Sequence, residues 1–314
     1  METIVFNIKR FDGKRSWTQR YTFPYETNTL LGCLTKIREE QDPTLNFMSA
    51  CRHGICGSCA IQVNGSAYLA CETQLDDLRK TYETDEFVIE PLNNFTVTRD
   101  LVIQFEDKAE QMKKVMPWMC EREGRADNAQ SPRDFAKYSK ATDCVLCGSC
   151  ASECRELAFD DGTYLAPFMM NKAYRFIADS RDGASEERVM AVLDNNLWKC
   201  IHCQQCTSKC PKEIPIAEEI SFIRRMVLEM GETKSLGAKH AYVFYNNAHD
   251  KGMLDEMQLA VKTEGLMANA KNRVPFAVRM VTSGKLNPFH HVKTVNGIEG
   301  VRTLFEYAKT MKED

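Results

Sequence analysis

The chain has 314 residues, which is enough for two or three domains. Its formal net charge of −3, with 43% apolar and 27% charged residues, excludes the strongly basic composition of many nucleic-acid-binding proteins, and we expect no nucleic-acid partner. No apolar run approaches the roughly 18–20 residues that span a bilayer. The first residues show no basic stretch followed by an apolar core. We therefore expect neither a signal peptide nor a transmembrane segment, and membrane contact only through partners.

The first hundred residues predict a strand-rich domain crossed by one helix. Alternating apolar residues in 4–8 indicate a half-buried strand, and residues 17–23 indicate the strand that returns beside it. A helix capped by residue 28 or 29 should follow, with an apolar face of Leu30, Leu31, Leu34 and Ile37. The dipeptide Asn64-Gly65 favours a hairpin, and residues 86–91 should close the sheet.

The first cysteine group lies in this domain, with the spacing Cys51-x₄-Cys56-x₂-Cys59 followed by Cys71. This is the ligand pattern of plant-type [2Fe–2S] clusters. The neighbouring His53 raises the alternative of a Rieske-type histidine ligand. With four cysteines present, a role for His53 in the loop or at an interface is the favoured interpretation.

From about Arg99 the pattern is helical. An apolar stripe predicts a helix through Leu101, Val102, Phe105, Ala109, Met112 and Val115, and residues 121–134 read as a loop. Further helices are expected over 167–178, from Ser185, and over 217–230, with Gly231 as the residue after the last of these. Two of the fourteen cysteines, Cys33 and Cys120, stand apart from the others and are not expected to be ligands.

Two further cysteine runs lie between these helices. They read Cys144-x₂-Cys147-x₂-Cys150-x₃-Cys154 and Cys200-x₂-Cys203-x₂-Cys206-x₃-Cys210-Pro211. This is the spacing that holds [4Fe–4S] clusters, and in two-cluster ferredoxins the fourth cysteine of each run binds the other cluster. Structural zinc is the alternative, but zinc sites use two short ligand pairs rather than two staggered runs of four cysteines.

A plant-type [2Fe–2S] domain followed by a helical two-cluster domain resembles the iron–sulfur subunits of succinate dehydrogenases and fumarate reductases. The connecting stretches agree, among them Phe95 to Val102, Ala173 to Asp182, Leu197 to Cys200 and Cys210-Pro211-Lys212. The resemblance covers about residues 1–230. It implies an α+β protein: a β-grasp [2Fe–2S] ferredoxin domain in residues 1–100, an all-helical dicluster domain in 101–232 and a helical extension in 233–314.

The resemblance also implies three ligand sets. The [2Fe–2S] centre takes Cys51, Cys56, Cys59 and Cys71; the first [4Fe–4S] centre takes Cys144, Cys147, Cys150 and Cys210; the third centre takes Cys154, Cys200 and Cys206. In the usual members the third centre is [3Fe–4S], because the position of Cys203 is not a cysteine. Here Cys203 supplies a fourth thiolate, so a second [4Fe–4S] centre is expected, with [3Fe–4S] as the alternative.

Two other features depart from the usual members. Arg155 and Glu156 replace the proline and tryptophan expected after Cys154, and Ile201 replaces a histidine, with His202 displaced by one position. The ordinary quinone pocket is therefore not expected. The helical pattern of residues 233–314 looks like the C-terminal part of the small iron–sulfur subunit of heterodisulfide reductases, which contacts a cysteine-rich subunit. A solvated helical addition is the alternative.

The implied function is electron transfer between a flavoprotein subunit and a quinone or quinol site of the menaquinol type, on a membrane-associated, heterodisulfide-reductase-like subunit. FAD is expected on the flavoprotein, and no substrate-converting residue is expected in this chain. The implied location is peripheral, on the cytoplasmic side of the cytoplasmic membrane. Two alternatives remain: an electron-transfer subunit of a thiol- or heterodisulfide-linked reductase, and a non-redox module in which metal only stabilises the fold.

Overall fold

A computed structural model describes residues 2–124, 127–160, 162–285 and 292–310. The chain divides into two compact units, one ending at Ile223 and the other beginning at Arg224. The first unit contains all fourteen cysteines. The finer division into three domains stays a prediction.

The N-terminal part of the first unit is a five-stranded mixed sheet in the order β2-β1-β5-β3-β4. The strands are β1 (Thr3–Phe11), β2 (Ser16–Pro24), β3 (Ala60–Val63), β4 (Ser66–Leu69) and β5 (Glu86–Glu90). Strand β1 pairs antiparallel with β2 and parallel with β5. The predicted hairpin joins β3 to β4, where Asn64 and Gly65 both have positive φ.

Helix α1 (Leu30–Glu40) contributes its predicted apolar face to the same core as the sheet. Thr29 caps it, because its hydroxyl accepts a hydrogen bond from Gly32 N at 3.1 Å. A second helix, α2 (Leu75–Tyr82), was not among the expected elements. The α+β expectation is confirmed.

The expected helix from Leu101 is wrong at its start. A short ribbon of β6 (Val97–Arg99) and β7 (Val102–Ile103) occupies this stretch, and helix α3 covers only Glu106–Met112. Asp100 explains the difference. It is 2% exposed, has a positive φ, and its carboxylate binds Arg10 and the amide of Asn46. This buried turn interrupts the apolar period.

The remainder of the first unit is helical. Its helices are α4 (Pro132–Ala136), α5 (Ser149–Ser152), α6 (Arg155–Ala158), α7 (Pro167–Ile177), α8 (Ser185–Asp194) and α9 (Gln205–Ser208), and α10 (Ile216–Glu229) runs from this unit into the next. The predicted helices match α7, α8 and α10 to within a residue or two at the ends that were predicted. Gly231, with φ of 78°, follows α10 in the left-handed conformation.

The second unit continues with α11 (Leu236–Lys251), α12 (Glu256–Glu264), α13 (Leu266–Asn272), α14 (Val274–Thr282) and α15 (Ile298–Thr310). The expected helical pattern of the extension is therefore present, with α13 in addition. The sequence also predicts a break in the helical pattern from Ser283 to Phe289; α14 ends just before it, and residues 286–291 lie outside the described residues. Within the described ranges, no helix has the length and apolar content needed to cross a bilayer.

Candidate metal centres

The first cysteine group lies on an exposed loop whose backbone amides turn toward sulfur. The amides of His53, Ile55 and Cys56 donate to Cys51 Sγ at 3.4, 3.3 and 3.2 Å, and Gly54 N donates to Cys71 Sγ at 3.1 Å. Such donors stabilise thiolates and tune a bound cluster. Gly54 permits this fold because its φ is 66° and the space beside its Cα is filled by the Glu72 carboxylate.

The thiols of this group differ in environment. The hydroxyl of Ser58, 3.2 Å from Cys56 Sγ, lowers the pKa of Cys56 to about 6, whereas burial raises the pKa of Cys59 to about 12. Metal binding deprotonates such thiols. His53 is exposed, and its amide, rather than its ring, contacts Cys51.

The second group combines three cysteines of one run with the last cysteine of the other. Burial raises the pKa of Cys150, and the adjacent Cys147 and Cys144 thiols raise it further. Burial likewise raises the pKa of Cys210, with a further contribution from Cys147. The thiols of Cys144, Cys147, Cys150 and Cys210 thus lie close enough to affect one another, and Cys206 also acts on Cys150.

The third group combines three cysteines of the second run with the last cysteine of the first run. Cys154, the last cysteine of the first run, lines one cavity together with Cys200, Cys203 and Cys206. Burial raises the pKa of Cys206 to about 12, and Cys200 and Cys154 act in the same direction. Four thiols around a cavity fit a cluster with four cysteine ligands. In the described ranges, no three His, Cys, Asp or Glu side chains are arranged to hold a single metal ion.

Several side chains beside these groups carry no ligand-spacing pattern that marks them. Tyr164 is 2% exposed and lines the third cavity; burial raises its pKa, with Cys200 and Cys154 next in effect. Ser58 and Ser149 each lie two residues after a cysteine and contact its sulfur, Ser149 at 3.4 Å from Cys147 Sγ. The sequence Cys-Gly-Ser-Cys occurs in both loops and is the one sequence feature that marks these serines. Its glycines, Gly57 and Gly148, both have positive φ.

The residues that depart from the usual pattern surround the third cavity. Arg155, Glu156, Ile201 and His202 all line it. His202 Nε2 lies 2.6 Å from Ser221 Oγ and 3.0 Å from the carbonyl of Ala217, so α10 fixes its ring. Ile201 is 62% exposed and leaves an apolar surface at this edge.

Two family models match the parts that carry these groups. A 2Fe-2S iron-sulfur cluster binding domain matches residues 5–112, and a 4Fe-4S dicluster domain matches residues 140–214. The 8-methylmenaquinol:fumarate reductase iron-sulfur subunit of Wolinella succinogenes is 37% identical over 321 aligned positions, which cover 99% of this chain and 100% of that protein. The chain belongs to the iron–sulfur subunits of succinate dehydrogenases and fumarate reductases.

As a member of this family, the chain is an electron-transfer subunit of an oxidoreductase complex with [2Fe–2S] and [4Fe–4S] binding domains. The succinate dehydrogenase iron-sulfur subunit of Coxiella burnetii is 33% identical and aligns over 99% of its own length but only 74% of this chain. A chain of the Mycobacterium smegmatis Sdh1 complex in the apo form shares the fold, with a TM-score of 0.67 and 20% identity over 74% of this chain and 98% of that one. About a quarter of this iron–sulfur subunit therefore has no counterpart in either.

Proposed function

We propose that this chain is the iron–sulfur subunit of a quinol:fumarate reductase that uses a low-potential, menaquinol-type quinol. The observation that carries the proposal is the full-length similarity, extension included, to the Wolinella succinogenes subunit, whose name specifies 8-methylmenaquinol and fumarate. The flavoprotein partner holds FAD and converts fumarate and succinate. This chain connects that flavin to the quinol site on a third subunit.

The ligand sets follow the three groups of thiols. Cys51, Cys56, Cys59 and Cys71 hold a [2Fe–2S] centre; Cys144, Cys147, Cys150 and Cys210 hold a [4Fe–4S] centre; Cys154, Cys200, Cys203 and Cys206 hold a second [4Fe–4S] centre. When bound, these clusters supply one-electron redox chemistry. The protein contributes ligand geometry, burial and amide donors such as Gly54 N.

The third centre is the one that the family usually builds with three irons. Cys203 lines the same cavity as the other three ligands, which supports four-cysteine ligation. A four-iron centre at this position is expected to have a lower potential than a three-iron one, and a low-potential quinol suits it. Arg155 and Ile201, in place of the usual pocket residues, support a quinol site on the partner subunit instead of the ordinary pocket at this interface.

The extension is assigned to partner binding. Only Val227, Ala238 and Val243 are buried apolar residues of the described part of the second unit, whereas many large apolar side chains there are exposed, among them Leu266 (75%), Met267 (89%), Phe276 (59%) and Leu304 (68%). Apolar surface on this scale is typical of a protein interface. We assign it to a cysteine-rich, heterodisulfide-reductase-like subunit that attaches the complex to the cytoplasmic face of the membrane.

Purification of the intact complex under anaerobic conditions tests the proposal. The expected result is co-purification of a flavoprotein and a cysteine-rich subunit, with reduction of fumarate by a menaquinol analogue. Loss of the cysteine-rich subunit after deletion of residues 233–314, with the flavoprotein retained, is expected for the assigned role of the extension.

A thiol-linked reductase is the second candidate, because the extension has the helical pattern seen in heterodisulfide reductases. It predicts that a dithiol donor, and not a quinol, drives fumarate reduction by the same complex. Quinol-driven turnover without thiol-driven turnover contradicts this candidate. The opposite outcome contradicts the quinol assignment.

A further inference from the structure

The loops that carry the first and second cysteine groups touch at Gly57. This residue is buried and follows Cys56, with a φ of 74°. A methyl group on its Cα would lie 2.8 Å from Cys147 Cβ, 2.9 Å from Cys147 Cα and 3.0 Å from the carbonyl oxygen of Val145. Two of these three atoms are backbone atoms, so no side-chain rotation relieves the overlap. Any side chain at position 57 must push the two loops apart.

Polar contacts hold the same two parts of the chain together. Ser152, which is 4% exposed at the end of α5, accepts hydrogen bonds from Gln62 Nε2 at 2.9 Å and from Asn93 N at 3.0 Å. The Asn94 amide donates to the carbonyls of Ala151 and Cys154 at 2.7 and 2.9 Å, and Ala67 N donates to Glu153 Oε1 at 2.6 Å. The N-terminal strand-rich domain thus forms hydrogen bonds to several sides of the helix that carries Cys150.

The need for glycine at position 57 is distinct from the general need for glycine in a turn. Gly65 has a similar φ of 78°, yet a methyl group there would have nothing within 4 Å. Gly148 is an intermediate case, since a methyl group would meet the Phe95 ring at 2.9 Å rather than another cysteine loop. An alanine at 57 or 65 therefore meets the same left-handed backbone cost, but only the alanine at 57 separates two cysteine groups.

We infer that Gly57 is a positioning residue for electron transfer between the first and second centres. Because glycine has no side chain, the Cys56 loop packs directly against Cys147. The hydrogen bonds from Gln62 and Asn93 to Ser152 stabilise that contact. In the transfer, one electron leaves one centre, which is oxidised, and arrives at the other, which is reduced; no bond forms or breaks. The inference rests on the proposed ligand sets.

The matched pair Gly57→Ala and Gly65→Ala tests this inference in the full-length protein with its clusters. The measurement is the EPR relaxation rate of the reduced [2Fe–2S] centre, recorded with the second centre oxidised and then reduced. In the wild type and in Gly65→Ala, reduction of the second centre should speed this relaxation, because two paramagnetic centres lie close together. In Gly57→Ala this enhancement should be partly or wholly lost, while the signal of each centre alone is retained.

Ser152→Ala serves as a second variant if Gly57→Ala does not assemble its first centre. It removes the acceptor shared by Gln62 and Asn93 without changing a cysteine, and should reduce the enhancement in the same direction. Wild-type enhancement in every variant that holds both centres, or no enhancement in the wild type, overturns the inference and leaves the proposed function standing. A chain that assembles no iron–sulfur centre overturns both.

Discussion

In the proposed ligand sets, Cys203 is the residue that distinguishes a four-iron from a three-iron third centre. Its thiol lines the cavity together with Cys154, Cys200 and Cys206. Replacement by serine should convert this centre toward a three-iron form, because a hydroxyl is a poor substitute for the fourth thiolate. EPR of the oxidised Cys203→Ser protein should then show a three-iron signal, with the other two centres unchanged.

Cys120 provides the matched control for this substitution. It lies outside the three groups, and its Sγ accepts a hydrogen bond from the Arg188 guanidinium at 3.4 Å. Cys120→Ser should leave all three EPR signals as they are. Unaltered signals in Cys203→Ser itself would show that Cys203 is not a ligand.

Glu219 should make stability depend on pH. It is 3% exposed, with both carboxylate oxygens near the amide of Asn171, and burial raises its pKa to about 7. Because the folded pKa lies above that of the unfolded chain, the folded protein holds the proton more tightly. The associated stability is present below about pH 4.5 and is lost as the pH rises through 7.

The variant Glu219→Gln should remove this dependence. Between pH 5 and 8 the wild type is expected to lose about 2.5 kcal/mol of unfolding free energy relative to the variant. Anaerobic thermal unfolding across this range measures the difference. Glu218→Gln, at the exposed neighbouring position, should keep most of the wild-type dependence, because burial raises the pKa of Glu219 more than the Glu218 charge does. A parallel pH dependence in wild type and Glu219→Gln would contradict the assigned pKa.

At this scale, the sequence was sufficient for the grouping of cysteines and insufficient for their surroundings. Ligand spacing is a short-range property of the chain, so Cys51 to Cys59 and the two later runs can be recognised directly. Tyr164 and Glu219 become relevant only through burial against distant residues, and no local pattern marks them. For Ser58 and Ser149, the repeated Cys-Gly-Ser-Cys sequence is the one local feature that indicates their contacts with cysteine sulfur.

At the scale of elements, the sequence predicts helices correctly where apolar residues recur at helical spacing, as in α7 and α10. The apolar residues at 101, 102 and 105 fit a helical period, so the pattern predicts a helix that begins within the β6–β7 ribbon. What decides the local structure is the contact of Asp100 with Arg10, ninety residues earlier in the chain. Helix α2 has no clear sequence signal, because it is short and only Leu75 and Leu78 are buried.

Helix α8 is joined to the segment before the cysteine runs by one buried side chain. Arg188 is fully buried; it pairs with Asp182 and donates to the carbonyls of Met116 and Trp118 at 3.1 and 2.6 Å. Arg188→Met should lower the free energy of unfolding by about 3–5 kcal/mol, because it leaves a buried carboxylate and two carbonyls without this partner. Thermal unfolding under anaerobic conditions measures the loss.

A surface ion pair provides the comparison for this prediction. Arg20 and Glu86 lie 2.8 Å apart with side chains 58% and 49% exposed. Arg20→Met should therefore change the unfolding free energy by less than about 1 kcal/mol. Equal effects of the two substitutions would contradict the role given to the buried pair.

At the scale of the whole molecule, the chain combines an electron-transfer unit shared across its family with an extension that aligns with the Wolinella succinogenes subunit but not with the Coxiella burnetii subunit. The shared unit contains all the cysteines, and the extension exposes apolar side chains of several helices. Sequence pattern predicted the helices of the extension. It could not predict how few of their apolar side chains are buried, since burial depends on tertiary packing that periodicity does not specify.

The central claim is that three centres, of which two are four-iron centres, form an electron-transfer relay in this subunit. Potentiometric EPR of the intact complex, titrated anaerobically from the oxidised state, tests it most directly. The expected result is three separate one-electron reductions, with no three-iron signal in the oxidised protein. A high-potential three-iron signal, or fewer than three reducible centres, would contradict the claim.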